Sequence, residues 1–206
     1  MFSAVLMALA AVTLALAPSA RATVTPVSWW RLGENDPGAA NGATAATTTN
    51  LLGGVMKLIG GPDYTTNVSS AAAGDVGSTL ALNLPGNNSY GTNAHFAALT
   101  NNFGIELWVN PASNNATACL AYNGNSGGNG WGLYIIGGQF KGLFGGVPSF
   151  GAAAAATSVW THLALVRNNG TNVLYVNGVA NVSNTVSPNL PAGLSSQNTV
   201  IKTSNR

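Results

Sequence analysis

Charged residues are scarce in this 206-residue chain and make up only 6% of it. Soluble domains usually carry about 25% charged residues, so the surface of this one must be polar but nearly neutral. The seven Lys and Arg residues exceed the five Asp and Glu residues by two, and they are scattered along the sequence. Proteins that track a phosphate backbone need several cations on one face, so we expect no nucleic-acid partner.

Cysteine is almost absent as well, since Cys119 is the only one in the sequence. A single thiol excludes an intrachain disulfide. Zinc sites need three or four His or Cys ligands, whereas this sequence offers Cys119, His95 and His162, which lie far apart. A zinc centre is therefore not indicated.

No apolar run reaches the ~20 residues that a membrane-spanning helix needs. The run from Ala4 to Ala17 is followed by Pro18 and the small-residue pattern Ala20-Arg21-Ala22, which is typical of a secretory signal. The sequence predicts a signal peptide over residues 1–22 and a mature domain over 23–206, secreted or at the cell surface, with no membrane span after cleavage. An uncleaved anchor is the alternative, because no Lys or Arg precedes the apolar run.

Most of the sequence pattern consists of short apolar runs that predict β-strands. In "FGIELWVN" the apolar residues alternate strictly, so Phe103, Ile105, Leu107 and Val109 share one face and must be core. Similar runs predict further strands, from Val27 to Leu32, one or two short ones within "LLGGVMKLIGG", and then in "TLALNL", "TACLAYN", "WGLYIIG", "QFKGLFG", "VWTHLALVR", "NVLYVNG", "VANVSNT" and "NTVIKT".

Turn-forming residues separate these runs. Gly137-Gly138 and Asn177-Gly178 have the length and composition of two-residue hairpin turns. Helix is almost absent: the alanines of 151–157 are too few to repay nucleation, and residues 38–50 and the stretch up to Ser78 have loop composition. The pattern predicts one all-β sandwich domain.

Five stretches, taken together and in order, resemble the laminin-G-like, concanavalin A-like jelly roll: "VSWWRLGEND", "LALNLPGNNSY", "FGIELWVNP", "GWGLYIIGG" and "WTHLALVRNNGTNVLYVNGV". They span most of residues 27–182. The resemblance implies an antiparallel two-sheet jelly-roll sandwich of the kind found in secreted and surface proteins. It also implies a final strand resembling Ile-Asp-Glu-Val beside the first one, and the sequence stops at "NTVIKTSNR" without it, so we expect a C-terminally incomplete domain.

Acidic residues are too few and too dispersed for sugar hydrolysis. Glycosidases use two carboxylates flanking the scissile bond, and no predicted strand carries two of the five acids. A Gly-x-Ser-x-Gly nucleophile motif is missing as well. We therefore predict a protein that is not an enzyme, with a glycoside hydrolase as the alternative.

Glu106 and His162 stand out because each is the lone polar residue within an apolar strand. The resemblance places both at positions commonly Glu or His in the family. They form either a cross-strand pair that stabilises the sheet or two walls of a ligand groove. On the strand of His162, Trp160 is expected to anchor the core and Arg167 to end the strand in solvent.

Glu34 and Asp36 are the candidate calcium ligands, since jelly rolls of the resembled type often bind calcium through loop carboxylates. Calcium takes six to eight oxygen ligands, so two carboxylates would make a weak site. A solvated turn without a cofactor is the alternative.

Carbohydrate binding needs exposed aromatic rings that stack on the sugar and amides that bond its hydroxyls. The loop "YNGNSGGNGWG" offers the candidates Tyr122, Asn123, Asn125, Asn129 and Trp131; a core position for Trp131 is the alternative. The resulting hypothesis is a non-catalytic recognition module that binds carbohydrate or another extracellular surface through its loops. A purely architectural domain of a larger surface protein is a third class.

Overall fold

The computed structural model describes residues 24–86, 88–94, 101–125, 127–145, 149–187 and 198–202, so the predicted signal peptide lies outside the described residues. Within these ranges almost all of the regular secondary structure is strand, as predicted. The strands and the helix α1 are β1 Thr47–Thr49, β2 Val55–Ile59, β3 Asp63–Thr65, α1 Ser70–Val76, β4 Ala81–Asn83, β5 Tyr90–Ala94, β6 Phe103–Val109, β7 Ala118–Asn125, β8 Asn129–Ile136, β9 Gln139–Phe144, β10 Thr161–Asn168, β11 Thr171–Val176, β12 Val179–Asn184 and β13 Asn198–Lys202.

Two sheets carry the fold. One has seven strands in the order β1-β2-β5-β13-β7-β8-β9, and the other has four in the order β12-β11-β10-β6. A small third sheet joins β3 to β4, and every pairing between strands is antiparallel. The prediction of an antiparallel all-β sandwich is confirmed.

The core joins the inner face of the four-stranded sheet to strands β7, β8 and β9. Phe103 on β6 stacks on Trp131 of β8 with ring centroids 4.2 Å apart, which links the two sheets directly. Ile105, Leu107 and Val109 belong to the same cluster, as their alternation predicted. Buried aromatic and aliphatic side chains in such contact supply most of the free energy that offsets chain entropy.

Hairpin turns lie where the sequence predicted them. Gly137-Gly138 joins β8 to β9 and Asn177-Gly178 joins β11 to β12, with positive φ at all four residues. Two consecutive positive φ angles are what a type I′ turn needs, and its twist matches that of the flanking strands. Residues 151–157 form no helix, also as predicted.

One short helix was missed. Helix α1 lies in a stretch expected to be loop, and its ends follow ordinary capping rules. Ser69 accepts a hydrogen bond from the backbone N–H of Ala72, and Gly77 closes the helix at φ 67°. Both capping residues were visible in the sequence, but the alanines between them show no amphipathic period.

The predicted first strand is wrong. Between Val27 and Leu32 the chain makes only an isolated bridge, which joins Trp30 to Asn50, and Leu32 has a left-handed φ of 59°. A β-strand cannot continue through such a residue. Residues 38–50, which were predicted as loop, contain the short strand β1.

Two side chains differ from expectation: Trp160, which immediately precedes β10, and Arg167, which lies on β10. Trp160 is half-buried outside the core, and its Nε1 donates to Asn67 Oδ1 at 3.1 Å. Arg167 is not in solvent but buried, with 7% of its surface exposed. Its Nη1 donates to Asn172 Oδ1 and to the carbonyls of Gly170 and Val186, and these acceptors let a cation lie at the end of the core.

Candidate functional site

Glu106 and His162 lie on the outer face of the four-stranded sheet. Their strand neighbours Leu107 and Leu163 point into the core, and because side chains alternate along a strand, the two polar residues point away from it. Trp108 of β6 shares this outer face. We call Glu106, Trp108, His162, Ala164 and Tyr175 the outer-face patch.

Contacts inside the patch are close. Nε2 of His162 lies 3.7 Å from Oε2 of Glu106, within the range of an ion pair and longer than a hydrogen bond. The ring of Trp108 lies directly across from His162 in the strand register, with centroids 5.1 Å apart and a tilt of 50°. The prediction that Glu106 and His162 are neighbours is confirmed.

Exposure differs across the patch. The side chain of Glu106 is 75% exposed and that of His162 is 26% exposed. An ion pair so open to water contributes about 0–1 kcal/mol to stability. The contact between these two side chains therefore adds little to the stability of the fold.

Ala164 is the smallest side chain of the patch. It is paired with Glu106 on one neighbouring strand and with Tyr175 on the other. Two strand spacings place the Cα atoms of Glu106 and Tyr175 about 10 Å apart, and the strand position between them carries only a methyl group. Trp108 and His162 are paired in the adjacent row of the sheet.

The β11–β12 turn fixes the backbone beneath His162. The N–H of His162 donates to Asn177 Oδ1 at 2.9 Å, and the N–H of Asn177 donates back to the His162 carbonyl at 2.8 Å. Because Asn177 lies in the turn at φ 50°, the residue that makes the turn also holds β10 in place. The patch thus rests on rigid strands.

Chemically, the patch offers groups that suit a polyhydroxylated ligand. A carboxylate accepts hydrogen bonds from hydroxyls, an imidazole donates and accepts, and the faces of Trp108 and Tyr175 can stack on the C–H groups of a sugar ring. Trp108 and Tyr175 were missed as candidates. The period-two pattern of β6 and the hairpin around residues 168–170 could have placed both beside Glu106 and His162.

The other carboxylates are engaged elsewhere. All five acids of the chain lie within the described residues. Glu34 Oε1 accepts from the backbone N–H groups of Thr79 and Leu80, and Asp63 accepts from Asn83. The charged contact recorded for Glu106 among the described residues is with His162.

Asp36 is buried and serves the N-terminal segment. Its Oδ1 accepts from the Thr49 N–H at 2.5 Å and its Oδ2 accepts from the Tyr64 hydroxyl at 3.0 Å. Burial raises the pKa of Tyr64 above its ordinary range, and the hydrogen bond to Asp36 and its charge raise it further. The two carboxylate oxygens of Asp36 therefore hold the turn that contains it against β1 and β3.

Calcium binding by Glu34 and Asp36 stays a prediction. Each carboxylate already accepts hydrogen bonds that an ion would compete with. Oε2 of Glu34 lies 3.6 Å from Nε of Arg31, which neutralises part of its charge. Among the residues described, no group of three or more His, Cys, Asp or Glu side chains comes together.

The aromatic rings of the predicted sugar loop are buried. Trp131 is 2% exposed and belongs to the core, which corrects its expected role as a stacking surface. Tyr122 is also 2% exposed, lies edge-on to Tyr134 at 5.6 Å, and donates its hydroxyl to the Asn129 carbonyl. Burial is the larger influence on the Tyr122 pKa and raises it; a backbone hydrogen bond at Gly145 opposes the rise.

The three asparagines of the same loop differ in how far they are exposed to solvent. Asn123 is buried, whereas Asn125 is exposed and Asn129 is half-buried. The side chains of Asn125 and Asn129 already accept hydrogen bonds from loop N–H groups. A ligand role for these loop residues stays a prediction. Glu106 and His162 are a predicted pair that the structure brings together, with Trp108 as a further aromatic neighbour.

Comparison with known proteins gives one family match. The family model described as "Concanavalin A-like lectin/glucanases superfamily" matches residues 85–206. None of the curated proteins matches the chain. In the part of the chain that the structure describes, no helix has the length and hydropathy that crossing a bilayer requires.

Two solved structures are similar in shape. Domain 4 of an extracellular GH43 arabinanase from Geobacillus stearothermophilus, in complex with arabinotriose, has a TM-score of 0.47 at 22% identity, covering 72% of this chain and 66% of that one. A Trypanosoma rangeli sialidase in complex with sialic acid has a TM-score of 0.49 at 12% identity, covering 79% of this chain and 26% of that one. The chain thus spans less than two thirds of either neighbour.

Proposed function

The chain belongs to the concanavalin A-like lectin/glucanases superfamily, and we propose that it is a non-catalytic module that binds carbohydrate on the outer-face patch. The family name covers both binding and hydrolysis, so the residues of this chain must decide between them. The observation that carries the proposal is the outer-face patch, where an exposed carboxylate and an imidazole lie in contact beside aromatic side chains on the same face of the sheet.

Binding is favoured over hydrolysis because no strand of the patch carries a second carboxylate beside Glu106. Retaining glycosidases hold two carboxyl groups about 5–5.5 Å apart, and inverting ones about 6.5–9.5 Å apart. The other four acids of the chain lie in the N-terminal segment, from Glu34 to Asp75, and three of them are bonded there. A single carboxylate can bond sugar hydroxyls but cannot share the acid and nucleophile roles.

A glycan array with the purified chain, with and without calcium, would test the proposal. The strongest hit would then be titrated against the wild type, Trp108→Ala and Glu106→Ala. We expect each substitution to weaken binding by about tenfold, because a stacked aromatic ring or a bond to a charged group contributes about 1–2 kcal/mol.

Trp29→Ala is the matched control, since Trp29 is an exposed tryptophan on a different segment and should leave sugar affinity unchanged. Hydrolysis of a glycan that Glu106→Gln abolishes would contradict the proposal in favour of an enzyme. Failure to bind any glycan would contradict it in favour of a purely architectural domain.

Export belongs to the same proposal. The N-terminal apolar run with its small-residue pattern supports a signal over residues 1–22 and a functional domain over 23–206, acting outside the cell. Intact-mass measurement of protein recovered from the outside of expressing cells should give a chain that begins at Thr23. Recovery only as an uncleaved membrane-bound chain would contradict this part and favour an anchor.

A further inference from the structure

The outer-face patch carries a charge opposite in sign to that of the whole chain. With histidine counted as neutral, the chain has a formal net charge of +2 at pH 7. The described ranges 101–125 and 149–187 hold all four strands of the smaller sheet, and within them only Glu106 and Arg167 have fully ionised side chains. Arg167 is buried on the inner face, where it donates to three acceptors. Among these residues the exposed charge is therefore the negative charge of Glu106.

The carboxylate of Glu106 is open to a ligand. Its side chain is 75% exposed. Its Oε2 lies 3.7 Å from Nε2 of His162, which is beyond the range of about 2.7–3.2 Å for a hydrogen bond from nitrogen to oxygen. The lone pairs of this carboxylate can thus accept hydrogen bonds from a bound molecule.

An aromatic ring lies next to this carboxylate. Glu106 and Trp108 are two positions apart on β6, so their side chains share one face of the sheet with Cα atoms about 7 Å apart. Trp108 is half-buried and contacts the ring of His162, with centroids 5.1 Å apart. A protonated amine is attracted both to a carboxylate and to the face of an indole ring. A ligand of the size of a sugar unit can therefore reach both side chains at once.

The charge of a sugar substituent decides how well it suits this arrangement. A hydroxyl or an N-acetyl group donates a hydrogen bond to Glu106, whereas an ammonium group adds the attraction between opposite charges. A uronic acid carboxylate is repelled and has no proton to donate. At a protein surface such a difference in charge changes the affinity by about tenfold.

On the basis of the carbohydrate function proposed above, we propose that the outer-face patch selects glycans with free amino groups, such as oligomers of glucosamine. The amino group binds Glu106, and a sugar ring stacks on Trp108. The positive net charge of the whole chain would instead favour acidic glycans. The order of affinities thus distinguishes selection by the patch from attraction by the whole molecule.

Titration of the purified full chain at neutral pH with glycans that differ in charge tests this selectivity. The series consists of β-linked oligomers of glucosamine, N-acetylglucosamine and glucuronic acid, all of equal length. We expect the glucosamine oligomer to bind about tenfold more tightly than the N-acetylated one, and the glucuronic acid oligomer to bind most weakly. Added salt should reduce the preference for the amine, because exposed charges are screened.

Substitutions identify the group that makes the selection. Glu106→Gln removes the charge and keeps a hydrogen-bond acceptor, so the three affinities should fall within about twofold of one another. Asp75→Asn is the matched control, because it removes another exposed carboxylate, on helix α1, and should leave the preference unchanged. Trp108→Ala should weaken binding of all three oligomers. A linear polyamine, which has ammonium groups and no sugar ring, should compete poorly with the glucosamine oligomer.

Equal affinities for the glucosamine and N-acetylglucosamine oligomers would overturn this inference and leave the carbohydrate proposal in place. Tightest binding of the acidic oligomer, or a preference for the amine that persists in Glu106→Gln, would do the same. Strong competition by the polyamine would overturn it by assigning the patch to amines without a sugar. Absence of binding to any glycan would overturn both proposals, so the two failures are distinguishable.

Discussion

At the scale of single residues, Arg167 shows how a cation is accommodated at the edge of an apolar core. One guanidinium nitrogen, Nη1, reaches three neutral acceptors, whereas Nε is buried without a partner among the described residues. Asn172, which is fully buried, completes the network by donating to Asn184 Oδ1 and the Val186 carbonyl. Polar groups of this kind fix one arrangement of the chain, since any other leaves them unsatisfied.

We expect Arg167→Met to lower the free energy of unfolding by about 2–3 kcal/mol, because hydrogen bonds from a charged donor are lost and buried acceptors are left bare. Urea denaturation would measure the loss, and the exposed Lys57→Met is the matched control. An unchanged midpoint for Arg167→Met would show that the network contributes no net stability.

The buried tyrosine Tyr122 predicts a specific weakness in alkali. Its pKa is raised from the ordinary 10.0, mainly by burial. Below pH 10 the hydroxyl is protonated in both folded and unfolded chains. Above pH 10 the unfolded chain releases a proton that the folded chain keeps, so the free energy of unfolding falls by up to about 1.4 kcal/mol per pH unit.

Tyr122→Phe removes that proton and should make the decline with pH shallower. Urea denaturation at intervals between pH 8 and about 11 would measure both slopes. Loss of the hydroxyl bond to Asn129 lowers stability equally at every pH, so the slope and not the absolute value is the test. Equal slopes for the wild type and the variant would contradict the expectation.

Prediction of single residues from the sequence succeeded where the alternation of side chains along a strand decides which face a residue lies on. Alternation along β6 placed Glu106 outward. Alternation along β10 places Arg167 inward with Leu165, but the charge of Arg167 led us to expect it in solvent. Its burial depends on hydrogen-bond acceptors across the hairpin, which alternation does not reveal. The same limit hid the burial of Tyr122 and left Trp131 open between loop and core, because a glycine-rich sequence resembles an exposed loop until its pairing is known.

At the scale of elements, the β11–β12 turn links local backbone chemistry to the candidate site. Asn177 combines a left-handed φ of 50° with a side-chain acceptor for the His162 N–H. Alanine would lose both properties, whereas glycine would lose only the acceptor. Each property is worth about 1 kcal/mol.

Asn177→Ala should therefore cost about 2 kcal/mol of unfolding free energy and Asn177→Gly about half as much. Thermal and urea denaturation of the two variants would give the ranking. Because the turn holds β10, the alanine variant should also weaken glycan binding more than the glycine variant. A reversed ranking would mean that the backbone angle is not the controlling property.

Elements with strong turn signals were predictable, and those without were not. Strands β6 to β12 lie close to their predicted bounds since Gly-Gly and Asn-Gly turns punctuate them. The N-terminal third has short elements whose stability comes from side chains distant in sequence, such as Asn50 with Trp29. The local sequence pattern does not reveal contacts between residues that are distant in sequence. For this reason the predicted strand at Val27 was wrong and α1 was missed.

At the scale of the whole molecule, β13 is the strand on which the larger sheet depends. It lies between β5 and β7 and pairs with both. Val200 is opposite Thr92 on one side and Tyr122 on the other. Proline cannot donate to a sheet ladder and is excluded from central strands.

Val200→Pro should lower the free energy of unfolding by about 2 kcal/mol or more relative to Val200→Ala, since the ladder bond is lost and its acceptor is left unsatisfied. The alanine variant controls for the side chain. Chemical denaturation compares the two, and equal stabilities would show that β13 adds little to the sheet.

The position of β13 also sets an order of events during biosynthesis. A chain leaves the ribosome from its N-terminus at about 5–20 residues per second, so β5 and β7 emerge well before the strand that must separate them. Until then each presents an unpaired edge, and direct pairing between them would trap a wrong sheet. A chain that stays unfolded until β13 is available escapes this trap, and the export proposed above would supply such a delay.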